Sequence, residues 1–129
     1  WCGEYALDKD MRKFVWALTK LCAEWNTLTV RLMLMARKDR EIISAASDDF
    51  LMYSGYVMMG YHWARMAAVA YKKLEKGGTE SPEFYKAKIQ TAEFHFDKLL
   101  PRTSGHAEGM VAPSDSMMAM DIENFSFLE

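Results

Sequence analysis

The chain has 129 residues, 50% of them hydrophobic, with 16 Lys and Arg against 18 Asp and Glu and a formal net charge of −2. That length suits one domain able to bury about two thirds of its unfolded surface. So even a balance offers no basic field for nucleic acid and no polybasic run for a membrane surface.

Three stretches place apolar residues at alternating steps of four and three, the spacing of one helical face. The first runs through Leu7, Met11, Phe14, Leu18, Leu21, Trp25, Leu28, Leu32 and Met35. Asp8 is its expected N-cap, and Arg37 and Lys38 suit the negative end of its dipole. Beta-branched Thr27, Thr29 and Val30 weaken the middle without breaking the beat. A short connection follows, with one expected turn of helix around Ile42 and Ile43.

The second stretch runs through Phe50, Tyr53, Val57, Gly60, Ala64, Ala67, Tyr71 and Leu74. Ser47, Asp48 and Asp49 mark its start; Lys72, Lys73 and Lys76 before Gly77-Gly78 mark its end. The third begins at Ser81 as N-cap with Pro82 in the first position, and continues through Tyr85, Ile89, Ala92, Phe96, Leu99, Thr103, His106 and Met110. Pro101 lies inside that stripe and removes the backbone bond to Asp97, so a kink is expected there. Ala112-Pro113-Ser114 breaks the pattern before a short helical turn over 114–120. The tail carries Met117, Met118, Met120, Ile122, Phe125, Phe127 and Leu128, which are expected to dock on the bundle or a neighbour. The expectation is an all-α fold: an antiparallel up-down bundle of three long helices plus a short C-terminal helical turn, one domain over 1–129.

The second helix is the anomaly. Phe50 to Ala64 contains no charge, and its far side carries Leu51, Met52, Met58, Met59, His62, Trp63, Met66 and Val69. A helix that is apolar all round is buried all round, and two neighbours do not suffice to cover it. The run falls short of the roughly 20 residues of a membrane span. A homo-oligomer interface, or a further domain of the same polypeptide, is the expected cover. The chain opens on Trp1, not methionine, which favours the further domain. Trp16 and Trp63 lie off their stripes and, with Met59, His62 and Met66, are the candidate contacts. Eleven methionines suit an uneven core or an adaptable interface.

Catalytic signatures are missing. A di-iron bundle needs Glu-x-x-His pairs; three residues before His62, His95 and His106 stand Met59, Ala92 and Thr103. Glu93 and Asp97 flank His95 at two residues on either side and turn away from it on a helix. The histidines read as solvent-facing or hydrogen-bonded. Ser104 and His106 lie on no nucleophile elbow. Cys2 and Cys22 form no CxxC and no metal spacing, and no signal peptide opens the chain, so unbridged thiols in a reducing cytoplasm are expected. No catalytic, cofactor-binding or metal-ligating residue is assigned. From the residues alone, a freestanding interaction bundle and a small-ligand-binding bundle both stay open.

The second helix reads Asp-Asp-Phe-Leu-Met-Tyr-Ser-Gly-Tyr, then Gly-Tyr-His-Trp-Ala-Arg-Met-Ala. The third reads Ala-Lys-Ile-Gln-Thr-Ala-Glu-Phe-His-Phe, then Leu-Leu-Pro-Arg-Thr, and the chain closes with Asp-Ser-Met-Met-Ala-Met and Phe125. Together these resemble the C-terminal domain of long bacterial acyl-CoA dehydrogenases, the group of 3-methylmercaptopropionyl-CoA dehydrogenase-like enzymes. The resemblance implies a parent flavoenzyme that carries FAD, removes hydrogens from the alpha and beta carbons of an acyl-CoA, and is reoxidised by an electron-transfer partner. It implies that the flavin pocket and the glutamate base lie in an upstream core. This chain would then be a structural domain packed on that core, in a homo-oligomer, without catalytic residues of its own.

Overall fold

The computed structural model describes residues 1–125, and those residues form helices and turns without a strand. Helix α1 (Arg12–Met35) is entered through a turn in which the Asp8 carboxylate accepts from the backbone N–H of Asp10 (2.9 Å) and Met11 (3.3 Å). Asp8 closes this entering turn and is not the cap expected of it: the N-cap position of α1 is Met11, without a side-chain cap, and the helix is about 36 Å long. The Thr19, Thr27 and Thr29 hydroxyls donate back to the carbonyls of Val15, Ala23 and Trp25. That spends the polar groups of the beta-branched stretch inside the helix.

Helix α2 (Ile42–Ala45) is the single turn expected, with Ile42 buried and Ile43 exposed. Helix α3 (Ser47–Lys76) has Asp48 and Asp49 in its first turn and Lys73 and Lys76 in its last, matching the dipole at both ends. It stops at Gly77, whose φ of 82° is open to glycine at little cost. Helix α4 (Pro82–Phe94) starts where the sequence places it: the Ser81 hydroxyl accepts from the Phe84 N–H at 3.4 Å and Pro82 takes the first turn.

The third stretch is not one long α-helix. After Phe94 the chain widens into a π-helical turn (His95–Leu99), tightens into a 3-10 turn (Leu100–Arg102), and resumes as α5 (Thr103–Met110). Pro101 has no N–H to give, and the two irregular turns absorb that loss. The wide turn shifts the stripe by one position, so Leu100 is buried where Leu99 was expected, and both His95 and Phe96 point inward. Helix α6 (Asp115–Met118) and a 3-10 turn (Ile122–Phe125) close the described chain.

Helix α3 is the hub, packing against α4, α5 and α1. One core cluster joins Met11, Phe14 and Leu18 of the first stretch to Ala64 and Ala67 of α3 and to Ile89, Ala92, Phe96 and Leu100. Phe14 meets Phe96 edge-on at 4.8 Å, and a fully buried phenylalanine contributes about 2–3 kcal/mol. The second cluster joins Leu28, Leu32 and Ile42 to Tyr53, Val57 and Met110.

One expectation fails, and another is narrowed. Leu7 is 92% exposed, because the chain turns before α1 and takes it off the helical face. Of the two sites expected for the tail, the bundle is not used: Met117, Met118, Met120, Ile122 and Phe125 are all exposed, which leaves a neighbour. Phe127 and Leu128 lie outside the described residues. Among the described residues no helix is long and apolar enough to cross a membrane.

Candidate interface on helix α3

The stripe that builds the core uses only one side of α3. Leu51, Met52, Gly55, Met58, Met59, His62, Arg65, Met66 and Val69 are exposed. At 3.6 residues per turn they share a single face. Arg65 is the only charge among them, and Leu51 and Val69 are 68% and 56% exposed. An apolar strip of this kind is what an unpartnered docking face looks like.

Each end of the strip opens into a hollow. Towards the N-terminus, Leu51, Phe50 and Ser54 of α3 face Met33 of α1 and Ile43 of α2 across a groove of roughly 660 Å³. Towards the C-terminus, His62, Met66 and Val69 face Phe84 and Lys88 of α4 across one of roughly 390 Å³.

Of the five sequence candidates, the structure brings Met59, His62 and Met66 onto this exposed face. Trp63 is half-buried beside the first core cluster. Trp16 is 71% exposed, but it sits on α1 beside Arg12 and Lys20, in a separate hollow. Leu51, Met58 and Val69 were legible as far-side residues, though not singled out. The N-terminal segment covers part of α3 itself. Trp1 packs on Tyr61 at 5.8 Å and on Tyr5 at 5.2 Å, and Lys72 donates to the Tyr5 hydroxyl at 2.8 Å.

The polar groups of the interior are spent on holding helices together. The buried Tyr53 hydroxyl donates to the Glu24 carboxylate at 2.8 Å and lies 3.1 Å from the Leu21 carbonyl. Burial first, and the Glu24 bond second, push its pKa far above the ordinary value. His95, buried in the wide turn, lies 3.2 Å from the Tyr56 carbonyl through Nε2. A carbonyl only accepts, so this nitrogen carries the proton. His106 bonds Asp49 at 2.8 Å through Nδ1 and stacks on Tyr56. This pair has the form of a base with an orienting carboxylate, but it lies across the α3–α5 contact and lines neither hollow. Among the described residues no buried side-chain nitrogen or oxygen lacks a partner, and no cluster could hold a metal. Burial, then the neighbouring Cys2, raise the pKa of the Cys22 thiol, the reverse of an activated nucleophile.

A unit with its polar groups used internally and one apolar helix face open is built to be packed against. The family described as acetyl-CoA dehydrogenase C-terminal like matches residues 2–121, and the chain belongs to that family. No curated protein matches it. The family suggests an accessory domain attached to a dehydrogenase core.

The larger hollow does not fit FAD, the cofactor of such enzymes. A flavin dinucleotide needs donors aimed at its diphosphate. In the larger hollow the Thr29 and Ser54 hydroxyls already donate to the Trp25 and Phe50 carbonyls, and the rest of the wall is mainly apolar. No step of flavin chemistry is assigned to that hollow.

Proposed function

We propose that this chain is the structural C-terminal part of an FAD-dependent acyl-CoA dehydrogenase of the 3-methylmercaptopropionyl-CoA dehydrogenase-like group. The open face of α3, with Met59, His62 and Met66 at its centre and Trp16 and Trp63 beyond it, packs on the dehydrogenase core or at a subunit interface. The observation that carries this reading is the uncovered, mainly apolar strip of α3, with Arg65 as its one charge, in a chain of this family. The reading takes the three helical stretches as an antiparallel up-and-down bundle in the cytoplasm.

The parent oxidises an acyl-CoA to its 2-enoyl-CoA on an upstream core, and its flavin passes electrons to a separate partner. This chain shapes and stabilises that core, and no residue of it is catalytic. Capture of the native polypeptide from its source cells, followed by intact mass and visible spectrum, tests the reading. A yellow protein several times heavier than 14.9 kDa is expected. A colourless protein near 14.9 kDa would overturn it.

A further inference from the structure

The open face of α3 runs on into the hollow it shares with α4. His62, Met66 and Val69 belong to both, and Phe84 stands on the opposite wall. Two cations line this hollow, Arg65 from α3 and Lys88 from α4, and no acidic residue does among those described. Arg65 lies 5.6 Å from the Tyr61 ring centroid and Lys88 lies 5.2 Å from that of Phe84. Contact with a ring holds a cation in place without neutralising it.

Nothing in the chain accounts for these two charges. A helix dipole favours cations in the last turn, but Arg65 lies in the interior of α3 and Lys88 in the interior of α4. A surface pair within one helix needs an acid three or four residues away. Those positions hold Tyr61, His62, Ala68 and Val69 around Arg65, and Phe84, Tyr85, Thr91 and Ala92 around Lys88. Neither cation forms an ion pair among the described residues.

A partner that covers the C-terminal half of the strip also closes the hollow, because the two share residues. An unpaired charge withdrawn from water weakens an interface, and an opposite charge in hydrogen-bond contact relieves that penalty. We infer that the upstream core sets one aspartate or glutamate side chain, carried among apolar residues, into this hollow between Arg65 and Lys88. The inference rests on the reading of α3 as the face packed on the core, and names the group the core brings to it. The guanidinium presents a fork of N–H donors to a carboxylate, and the ammonium adds another. Met66, Val69 and Phe84 supply apolar contact to the residues beside the acid. The acid also fixes register, since the strip from Leu51 to Val69 offers a charge only at Arg65.

The test is zero-length carbodiimide coupling of the native polypeptide captured from its source cells, followed by peptide mapping. This reagent joins a lysine amine to a carboxylate that touches it. Lys88 joined to an aspartate or glutamate outside residues 1–129 of the same polypeptide is expected. Lys88 left free, or joined only to an acid of this chain, of a second copy or of a separate protein, would overturn the inference. A second readout uses the parent polypeptide carrying Arg65→Gln and Lys88→Gln, with circular dichroism confirming that it is folded. Protease should cut between core and bundle about tenfold faster than in the unaltered parent, because the core's acid is left unpaired. Equal rates would overturn the pairing as well. Mass and colour decide the accessory-domain reading separately: a heavy yellow protein with Lys88 unlinked would keep that reading and lose this one.

Discussion

Asp49 and His106, far apart in the chain, bond at 2.8 Å, with the Asp49 carboxylate against Gly109 where a side chain would otherwise begin. The pair ties α5 to the first turn of α3. It depends on a helix position with no Cβ.

Gly109→Ala should therefore destabilise the fold even though alanine is the better helix former. The added carbon would collide with the carboxylate, which is held by His106 and cannot swing away freely. A loss of about 1–3 kcal/mol in urea unfolding is expected. An unchanged midpoint would show that the carboxylate moves aside at no cost.

Gly60 offers a graded version of the same test. A Cβ there would sit 3.3 Å from Leu100 Cδ1 and 3.5 Å from both Leu18 Cδ2 and His95 Nε2. For Gly60→Ala, helix propensity offsets the tight contact, and the net change should stay within about 1 kcal/mol. Gly60→Leu has no room and should cost about 3 kcal/mol. Equal stability for both variants would mean that the α3 crossing is not close-packed.

Tyr53 sets the alkaline limit. Its folded pKa lies above the ordinary 10.0 because of burial and the Glu24 bond. As pH rises, the unfolded chain releases this proton first. The stabilisation is complete below about pH 10 and declines above it as pH climbs towards the raised folded value. Tyr53→Phe should lose about 1 kcal/mol at neutral pH and show a shallower decline in alkali. Parallel pH profiles for the two proteins would assign the alkaline loss elsewhere.

The open face should tolerate charge. Met58→Glu together with Val69→Glu changes two exposed positions and should leave unfolding free energy within about 1 kcal/mol. The same pair should reduce the fluorescence of an apolar dye bound to the chain. A loss of several kcal/mol would show that the face is already covered in the isolated fold.

Much of the helical layout was legible in the chain. Ser47 with two aspartates, the lysines before Gly77, and Ser81 before Pro82 are local signals, and α3 and α4 begin or end on them. The apolar beat identified Phe14, Leu18, Tyr53, Val57, Ala64 and Ile89 as core. The far side of α3 was legible for the same reason: residues three and four apart must share a face. Leu7 misled because an apolar residue outside a regular helix has no period to say where it points.

The sequence by itself determined most of the helical spans, the Gly77 and Ser81 ends and the two faces of α3, because bonds and side-chain spacing within four residues decide those features. It also carried the family resemblance. Only the tertiary structure decided that the third stretch widens at His95, that Trp63 leans on the core, and that His106 bonds Asp49. These depend on how closely separate helices approach, at positions such as Gly60 and Gly109. That distance is set by packing between residues remote in the chain, which no local period encodes.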